Sequence, residues 1–266
     1  MAGDGARVFG DVLVVDVGNT ETCLGLFRNG TLAGRFALTT PERLTPDEAQ
    51  LSARQVLAVL GHAADAPHGA ILSSVVPILT DAWVTALRSV SETCPLVVGP
   101  GLKTGIRMRY DDPAEVGSDR LADVVAARET YGAPVIAVDL GTTTNIEVVD
   151  GEGTFLGGVI APGLRLGARA LSQAAARLPA IELRAPEHVI GRSTRGAMRS
   201  GVVCGEVARL DGLLDMVMSE MGCVAPIVMT GDDVQFVAPL LSHPVQVDTT
   251  LTLRGLYLLW ARNARS

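Results

Sequence analysis

The residues best suited to chemistry lie in the stretch 135–150, where an apolar run ends in Asp139 and is followed by Gly141 and three threonines. Gly141 would let a backbone approach an anion closely, and Thr142 would offer hydroxyl and amide donors. A carboxylate at the end of a buried strand can hold a cation, or a metal-bound water, beside a phosphate. The pattern predicts strand, phosphate-binding turn and strand. A β-hairpin whose turn is merely rich in Gly and Thr fits this stretch alone equally well.

The same pattern occurs twice in the chain, with a spacing of 123 residues. In this register Asp16 aligns with Asp139 and Gly18 with Gly141, and seven of the 21 positions in 12–32 are identical to their counterparts. Internal similarity of this kind predicts two related halves, each opening with a hairpin that carries Asp-x-Gly-x-Thr. Two such turns facing one another would hold one phosphate chain from both sides. The alternative is convergence of two apolar hairpins on a common turn composition.

Composition limits the classes of function. The chain has 266 residues, of which 48% are hydrophobic and 19% charged, and its net charge is −7. This length and composition predict a compact protein of two lobes, and the negative charge argues against nonspecific nucleic-acid binding, although not against a small anion held by backbone amides. The apolar runs are interrupted well before the roughly 20 residues that a membrane span needs. Residues 1–11 lack an apolar core and are interpreted as a leader.

The cysteines and histidines are dispersed. The four cysteines form no C-x-x-C pair, which favours reduced thiols and a cytoplasmic location over a disulfide framework. The four histidines are scattered as well, so we expect no metal site built from His and Cys. These residues are Cys23, Cys94, Cys204 and Cys223, and His62, His68, His188 and His243.

Strands and helices are predicted to alternate, which indicates an α/β architecture. Thr45-Pro-Asp-Glu48 forms a capping box, so a helix should run from there to about Gly61. The predicted strands are 12–17, 22–27, 31–38, 70–76, 96–98 and 227–229. Further helices are predicted over 77–92, after Pro162-Gly163, from Ser193 or Thr194 to about Met221, and over 251–263.

The stretch 99–120 is punctuated by Gly and Pro and leads into another helix. Asp119 would lie near the N-terminus of that helix, where an Asp commonly serves as a cap. Alternatively, Asp119 is a general base and Arg120 binds a polar or anionic substrate group. Tyr110 is either a pocket wall or an ordinary packed tyrosine. Composition does not decide between these interpretations.

Ordered blocks over nearly the whole chain after residue 10 resemble the type III pantothenate kinases, a family of the acetate/sugar kinase, Hsc70 and actin superfamily. Such a series of blocks is far more specific than a single glycine motif. The blocks are Asp16-Val-Gly-Asn-Thr20 with Gly25-Leu-Phe27, Gly99-Pro-Gly-Leu-Lys-Thr-Gly105, Pro113-Ala-Glu-Val-Gly-Ser-Asp-Arg120, Asp139-Leu-Gly-Thr142, Gly157-Gly-Val-Ile-Ala-Pro-Gly163, and Thr194 with Ala197-Met198 and Ser200-Gly201.

The resemblance implies an α/β fold, a duplicated ribonuclease-H-like (actin-like ATPase) fold whose two lobes have mixed sheets flanked by helices. We expect an N-terminal lobe over 12–115 and a C-terminal lobe over 116–266. It also implies ATP-dependent phosphorylation of the primary hydroxyl of pantothenate to 4′-phosphopantothenate, in coenzyme A biosynthesis. Family members are dimers whose substrate pockets are completed across the interface, so a homodimer is expected.

The resemblance also implies roles for individual residues. Asp119 would be the general base, Asp16 would order Mg²⁺ through water, and Asp139 would bind a monovalent cation, potassium or ammonium. The pantothenate pocket would be lined by Tyr110, Gly117, Ser118, Asp119, Arg120 and Thr194. ATP would be contacted by Asp16, Val17, Gly18, Asn19, Thr20, Glu21, Thr22, Cys23 and Thr142.

The chain departs from the family pattern in three functional turns. The family has Gly-Thr-Ala-Thr-Thr, an apolar residue and Asp after the central aspartate, whereas this chain continues through Thr143, Thr144, Asn145, Ile146 and Glu147. Thr-Gly-Gly is replaced by Thr230-Gly231-Asp232, and Lys-Asn-Thr by Arg192-Ser193-Thr194. Asp232 either weakens ATP binding or caps a helix over 234–241.

These departures motivate two alternatives to a pantothenate kinase. The first is a paralogous kinase for another small alcohol, such as a nucleoside or a hydroxy acid. The second is a catalytically idle regulator on the same scaffold. Retention of Asp16, Asp119, Arg120 and Asp139 argues against the idle scaffold, because such a protein has no chemical need for all four side chains.

Overall fold

The computed structural model describes residues 10–62, 65–174 and 178–264. Most of the predicted leader 1–11, namely residues 1–9, lies outside this part of the chain. The strands are β1 Val12–Val17, β2 Glu21–Arg28, β3 Thr31–Thr39, β4 Gly69–Ser74, β5 Leu96–Val97, β6 Arg107–Met108, β7 Val135–Leu140, β8 Thr143–Val149, β9 Thr154–Pro162, β10 Ile227–Thr230 and β11 Val245–Val247. The helices are α1 Pro46–Val59, α2 Pro77–Val90, α3 Ser118–Tyr131, α4 Leu164–Ala174, α5 Thr194–Met221, α6 Val234–Val237 and α7 Leu251–Asn263.

Contacts divide the chain into two compact units. The first unit comprises Met1–Gly105, Asp112–Ala126 and Leu251–Ser266, and the second comprises Ile106–Asp111 and Ala127–Thr250. These units are defined by contacts, whereas the predicted lobes 12–115 and 116–266 are defined by the sequence repeat. The lobe bounds therefore stay a prediction.

The first unit contains a five-stranded mixed sheet in the order β3-β2-β1-β4-β5. β1 pairs antiparallel with β2 and parallel with β4. Because side chains alternate along a strand, β1 turns Leu13, Val15 and Val17 toward a core shared with α1 and α2. Val14 lies on the other face, next to Gly25 and the α7 residue Leu253. The central strand is thus buried on both faces, as its continuous apolar run predicts.

Local signals in this unit act as predicted. In the capping box, the Thr45 hydroxyl accepts from the Glu48 amide at 3.3 Å, and Glu48 Oε2 accepts from the Thr45 amide at 2.8 Å. Helix α1 ends at Val59, two residues before the predicted Gly61. Helix α7 has the predicted bounds, Leu251–Asn263.

The second unit repeats the topology of the first. Its sheet has the order β11-β10-β7-β8-β9-β6, in which β7 pairs antiparallel with β8 and parallel with β10. The order β9-β8-β7-β10-β11 reproduces β3-β2-β1-β4-β5, and β6 extends it beyond β9. The predicted duplicated fold with mixed sheets is therefore confirmed.

The two hairpins differ in one detail. Asp16 pairs with Cys23, seven residues on, whereas Asp139 pairs with Asn145, six residues on. Counted between paired residues, the turn after β7 is thus one residue shorter than the turn after β1. By the same count the connection from β8 to β9, between Val149 and Phe155, is one residue longer than that from β2 to β3, between Phe27 and Leu32. The ungapped alignment is correct at β1 and β7 but displaces β2 against β8 by one residue, which exchanges the two faces of the strand.

Helix α5 organises the core of the second unit. Its N-cap is Ser193, whose hydroxyl accepts from the Gly196 amide at 3.1 Å. It ends at Met221, as predicted from the sequence, and Gly222 is its C-cap. Leu210 and Leu214 of α5 are fully buried and pack in one core with Ile136 and Ile146 of the sheet. Among the residues that the structure describes, no helix is both long enough and apolar enough to cross a membrane.

Candidate active site

The candidate site of the first unit lies at the carboxyl ends of the parallel strands β1 and β4. Asp16 is the fifth of the six residues of β1, and its partner in the parallel register is Ser73 of β4. Ser73 is completely buried. In α/β sheets, ligands characteristically bind outside the carboxyl ends of the strands. The position of Asp16 therefore suits a ligand-binding carboxylate.

A pair of hydrogen bonds holds the start of α3 against this strand edge. The Ser118 hydroxyl accepts from the Ser73 hydroxyl at 2.8 Å and from the Ser74 amide at 3.1 Å. Ser118 is the first residue of α3, so this contact brings the next residue, Asp119, to the same edge as Asp16. The two carboxylates that the sequence analysis selected separately thus belong to one cluster within the first unit.

The backbone around Asp119 is adapted to its carboxylate. Asp119 Oδ1 accepts from the Arg120 amide at 2.8 Å. A Cβ atom on Gly117 would lie only 2.5 Å from this oxygen, so any side chain at position 117 would displace the carboxylate. We therefore interpret Gly117 as a steric requirement of the Asp119 conformation. Arg120 itself is only 7% exposed.

The electrostatics of the cluster depend on Asp16. Burial is the main cause that raises the pKa of the Asp16 carboxyl to about 7. A hydrogen bond with the Ser73 side chain opposes this rise, and the nearby Asp119 carboxylate adds to it. Oδ1 of Asp16 is buried and has no hydrogen-bond partner among the described residues. A buried, unsatisfied carboxylate oxygen is costly in the absence of a cation and well suited to one.

This donor set fits Mg²⁺ in a nucleotide site better than a closed metal centre. No group of three or more His, Cys, Asp or Glu residues within the described ranges is placed to hold a metal ion. Magnesium is commonly bound through one or two carboxylates, with water and substrate phosphates completing its coordination. Asp16 meets that requirement without further protein ligands.

The turn after β1 is closed by its own backbone and by Thr40. The Gly18 amide donates to the carbonyl of Glu21 at 2.9 Å, and the Thr40 hydroxyl donates to the carbonyl of Gly18 at 2.8 Å. The tip formed by Asn19, Thr20 and Glu21 is exposed. The predicted ATP contacts from this turn therefore differ in exposure. The tip is exposed, whereas Val17 and Thr22 are buried and Cys23 is half-buried.

The equivalent turn of the second unit joins β7 to β8. The Gly141 amide donates to the carbonyl of Thr143, and the Gly163 amide, just after β9, donates to the carbonyl of Thr142, both at 3.1 Å. Thr142 is half-buried at the tip. The turn is therefore fastened to β9, and Thr142 is held by its backbone while its side chain stands at the carboxyl edge of β7.

Asp139 occupies the position in the second unit that Asp16 occupies in the first. Its parallel partner is Thr230 of β10, which is only 4% exposed. Gly231 follows with a φ of +97°, and a Cβ atom there would lie 2.6 Å from Asp139 Oδ1. The backbone of β10 thus packs directly against this carboxylate.

The departures from the family pattern surround Asp139. Asn145, directly opposite Asp139, is 6% exposed and accepts from the Thr143 hydroxyl at 3.2 Å. Glu147 is 1% exposed and lies two residues further along the same face of β8. Because these polar groups are buried rather than solvated, their identity affects the surroundings of Asp139.

One alternative for Asp232 is wrong. Helix α6 begins at Val234, and its N-cap position is taken by Asp233, whose side chain makes no capping hydrogen bond. Asp233 instead pairs with Arg165 at 2.7 Å. Asp232 is exposed and one residue too early to cap α6.

The remaining predicted pocket residues, Tyr110 and Thr194, belong to the second unit. The Tyr110 ring stacks on Phe155 with a centroid distance of 5.9 Å and an interplanar angle of 12°. Gly157 lies under the same ring. Thr194 is exposed at the first position of α5. Tyr110 is therefore held in a defined orientation, and Thr194 remains accessible.

Ser73 and Ser74 are site residues that the sequence analysis missed. They end the otherwise apolar run of β4, at the edge where Asp16 ends β1. Two adjacent serines at the carboxyl end of a buried strand were the available signal. Only the pairing of β4 with β1 identifies their partners.

Comparison with known proteins gives consistent results. The family model of type III pantothenate kinase matches residues 12–216. A type III pantothenate kinase from Koribacter versatilis (strain Ellin345) is 41% identical over 266 residues, covering 95% of this chain and 96% of the relative. Two solved structures share the fold at low identity. The ethanolamine utilization protein EutJ from Carboxydothermus hydrogenoformans has a TM-score of 0.54 and 17% identity, and covers 94% of this chain and 89% of its own. The ROK hexokinase from Thermus thermophilus has a TM-score of 0.52 and 14% identity, and covers 94% and 98% respectively.

Proposed function

The chain belongs to the type III pantothenate kinase family, and on this premise we propose that it transfers the γ-phosphoryl group of ATP to the primary hydroxyl of pantothenate. The product is 4′-phosphopantothenate, an intermediate of coenzyme A biosynthesis. The observation that carries the assignment is the cluster in which Ser118 holds Asp119 at the strand edge occupied by Asp16. An acid–base group and a cation ligand then lie side by side, as phosphoryl transfer to an alcohol requires.

In this mechanism the Asp119 carboxylate accepts the proton of the pantothenate hydroxyl as that oxygen attacks the γ-phosphorus. The bond to the β–γ bridging oxygen breaks, and ADP leaves. Hydrogen bonding from the Arg120 amide fixes Asp119 Oδ1, so the carboxylate is oriented before the substrate arrives. Asp119 therefore acts as a preoriented general base.

The phosphates are assigned to the two equivalent turns. Asp16 would hold Mg²⁺ and Asp139 a monovalent cation, potassium or ammonium, and the buried Oδ1 of Asp16 supports the first assignment. When bound, Mg²⁺ neutralises charge on the phosphate oxygens. The proposed nucleotide contacts are Asp16, Val17, Gly18, Asn19, Thr20, Glu21, Thr22, Cys23 and Thr142.

The acceptor is assigned to the residues around Asp119, and the family resemblance implies two further contacts, Tyr110 and Thr194. Tyr110 would supply an apolar wall, and Thr194 a hydroxyl. Gly117, Ser118 and Arg120 would contact the acceptor beside Asp119, where Ser118 acts mainly through its contacts with β4. We further assign a homodimer to the protein. Its four free cysteines support a cytoplasmic location.

A second candidate acceptor has one observation in its favour. Glu147 is buried where the family has Asp, and Asn145 is buried directly opposite Asp139. A carboxylate moved by one methylene group can misplace a contact enough to change the preferred substrate. The alternative reaction is the same phosphoryl transfer to another small alcohol, a nucleoside or a hydroxy acid.

A coupled assay of ADP release distinguishes these functions. With pantothenate we expect turnover that depends on Mg²⁺, rises with potassium, and disappears in Asp119→Asn. Glu115→Gln, an exposed change four residues earlier, is the matched control and should retain activity. Turnover only with another alcohol would support the alternative acceptor, and nucleotide binding without any turnover would support an idle scaffold.

A further inference from the structure

An acidic–basic pair on α5 contacts β8, which follows the turn between β7 and β8, and also contacts β9. Glu206 Oε1 accepts from the Thr144 hydroxyl at 2.9 Å, at the start of β8. Glu206 Oε2 pairs with Arg209 Nη2, one helical turn further along α5. The same Arg209 nitrogen donates to the carbonyl of Pro162, at the end of β9, at 2.6 Å. The order of contacts is therefore Thr144, Glu206, Arg209 and Pro162.

These contacts attach at residues next to the turn between β7 and β8. β8 begins immediately after Thr142, and Thr143 pairs with Pro162 across the two strands. The Gly163 amide donates to the carbonyl of Thr142 at 3.1 Å. Thr142 is thus fixed on one side by β9 and on the other through Thr144, and both attachments lead to the same pair of side chains on α5.

Burial makes the pair more than a surface salt bridge. Glu206 is only 6% exposed, and Thr144 1%. A buried carboxylate without hydrogen-bond partners is costly, so Glu206 keeps its bonds to Thr144 and Arg209 as long as it stays buried. The side chain therefore has a fixed geometry, unlike an exposed pair on a helix surface.

We propose that Glu206 and Arg209 are positioning residues for the nucleotide, holding the Gly141–Thr144 turn in the conformation that binds the ATP phosphates. The proposal rests on the function given above, because it assumes that this turn contacts ATP. In this proposal Glu206 and Arg209 affect nucleotide affinity through the turn and do not contact the nucleotide. Neither residue carries a role from the sequence motifs, since both lie in the middle of α5.

The test measures nucleotide binding and kinetics separately. Titration calorimetry with Mg²⁺ and a non-hydrolysable ATP analogue, without acceptor, compares wild type with Glu206→Gln and Thr144→Val. Glutamine keeps an acceptor for Thr144 but turns an amide toward Arg209, whereas valine removes only the hydroxyl donor. We expect the Kd for the analogue to rise about tenfold in both variants, as small displacements of a phosphate contact are amplified in affinity and rate.

Kinetics and matched controls separate positioning from simple loss of folded protein. The KM for ATP should rise about tenfold while the KM for pantothenate changes less than about twofold. Thr144→Ser, which restores the hydroxyl, should return the Kd to near the wild-type value. Glu220→Gln, an exposed carboxylate near the end of α5, should behave as wild type.

Three results would overturn the proposal: a Kd unchanged in both variants, a rise in the KM for pantothenate alone, or a fall in kcat matching the loss of folded protein with both KM values unchanged. Failure of wild type to phosphorylate pantothenate would contradict the proposed function instead. The calorimetric comparison would still test the pair in that case. A wild-type protein that binds no nucleotide would overturn both.

Discussion

Asp16 and Ser73 stand opposite one another on the parallel strands β1 and β4, and the same relationship joins Asp139 to Thr230 in the other repeat. In each repeat, therefore, a carboxylate at the fifth position of the first strand has a buried hydroxyl residue beside it. A hydroxyl group can donate to an ionised carboxylate and can accept from a protonated carboxyl, so it can hydrogen-bond either protonation state of the aspartate. The duplication extends beyond the backbone to this polar pair.

The first prediction concerns how the buried Asp16 carboxyl lowers the stability of the metal-free protein. Its pKa is raised from 3.8 to about 7 in the folded protein, chiefly by burial. A raised pKa means that its stabilising contribution is complete below about pH 4 and is lost as the pH rises to 7, by up to about 4 kcal/mol. In Asp16→Asn we expect metal-free protein to melt higher than wild type at pH 8.5, with the difference becoming small near pH 4, while kinase activity is lost.

Thermal melts in chelator at the two pH values check this expectation. Asp81→Asn, an exposed aspartate of α2, is the control and should show no pH-dependent difference from wild type. Equal melting temperatures for wild type and Asp16→Asn at pH 8.5 would contradict the raised pKa.

The second prediction concerns the Ser118 contact with β4. Ser118→Ala removes the acceptor for Ser73 and for the Ser74 amide, so we expect a loss of about 1–3 kcal/mol in unfolding free energy. Because Asp119 is the adjacent residue, kcat should fall about tenfold or more while the KM for ATP stays near the wild-type value. Ser118→Thr, which keeps the hydroxyl, should recover most of kcat. Recovery of stability without recovery of kcat would exclude a positioning role.

Much of this site is predictable because its signals are local. The acidic hairpins follow from an apolar run, an aspartate and a glycine within nine residues, and the capping box of α1 from four. Local signals also explain the agreement over α5 and α7, where apolar spacing continues over several helical turns.

The other features could not be predicted because they depend on pairing between residues far apart in the sequence. β6 consists only of Arg107 and Met108, and it exists because these residues pair with Thr154 and Phe155 of β9. No periodicity is detectable in two residues. Similarly, Ser73 acquires its role from Ser118, 45 residues away, and Glu206 from Thr144, 62 residues away. Such partners become visible only when the elements are packed.

The third prediction concerns Asp232, where the family has glycine. Its exposed carboxylate adds negative charge directly after Gly231, whose backbone packs on Asp139. Coulomb repulsion with the ATP phosphates should raise the KM for ATP, so Asp232→Gly should lower it by about threefold to tenfold. Asp232→Asn separates charge from bulk, and it should give most of the same gain. An unchanged KM in both variants would show that position 232 does not sense the nucleotide.

The fourth prediction separates stability from activity. Thr45→Ala removes the α1 capping box, whose two hydrogen bonds are at the protein surface. We expect a loss of about 1 kcal/mol in unfolding free energy, measured by denaturant titration, with kcat and both KM values unchanged. Glu42→Ala, also exposed but outside the box, should leave the unfolding free energy within about 0.5 kcal/mol of wild type.

The last prediction concerns the pH dependence of stability at His243. Its ring lies 2.9 Å from Asp211 Oδ1 and 3.0 Å from Asp215 Oδ1, both on α5. The hydrogen bond with Asp211, aided by Asp215 against partial burial, raises the pKa of His243 above 6.5. Hydrogen bonds from His243 and Ser242 outweigh burial and lower the pKa of Asp211 below 3.8.

The signs of these two shifts define a pH window. The His243 contribution is complete below pH 6.5 and is lost as the pH rises through its higher folded-state pKa, whereas the Asp211 contribution is lost as the pH falls below about 4. His243→Gln should therefore be destabilising by on the order of 1 kcal/mol at pH 6 and nearly neutral at pH 9. Denaturant titrations at both pH values check this, with the exposed His188→Gln as the control. A loss that is equal at pH 6 and pH 9 would mean that His243 stabilises α5 by packing and not by its charge.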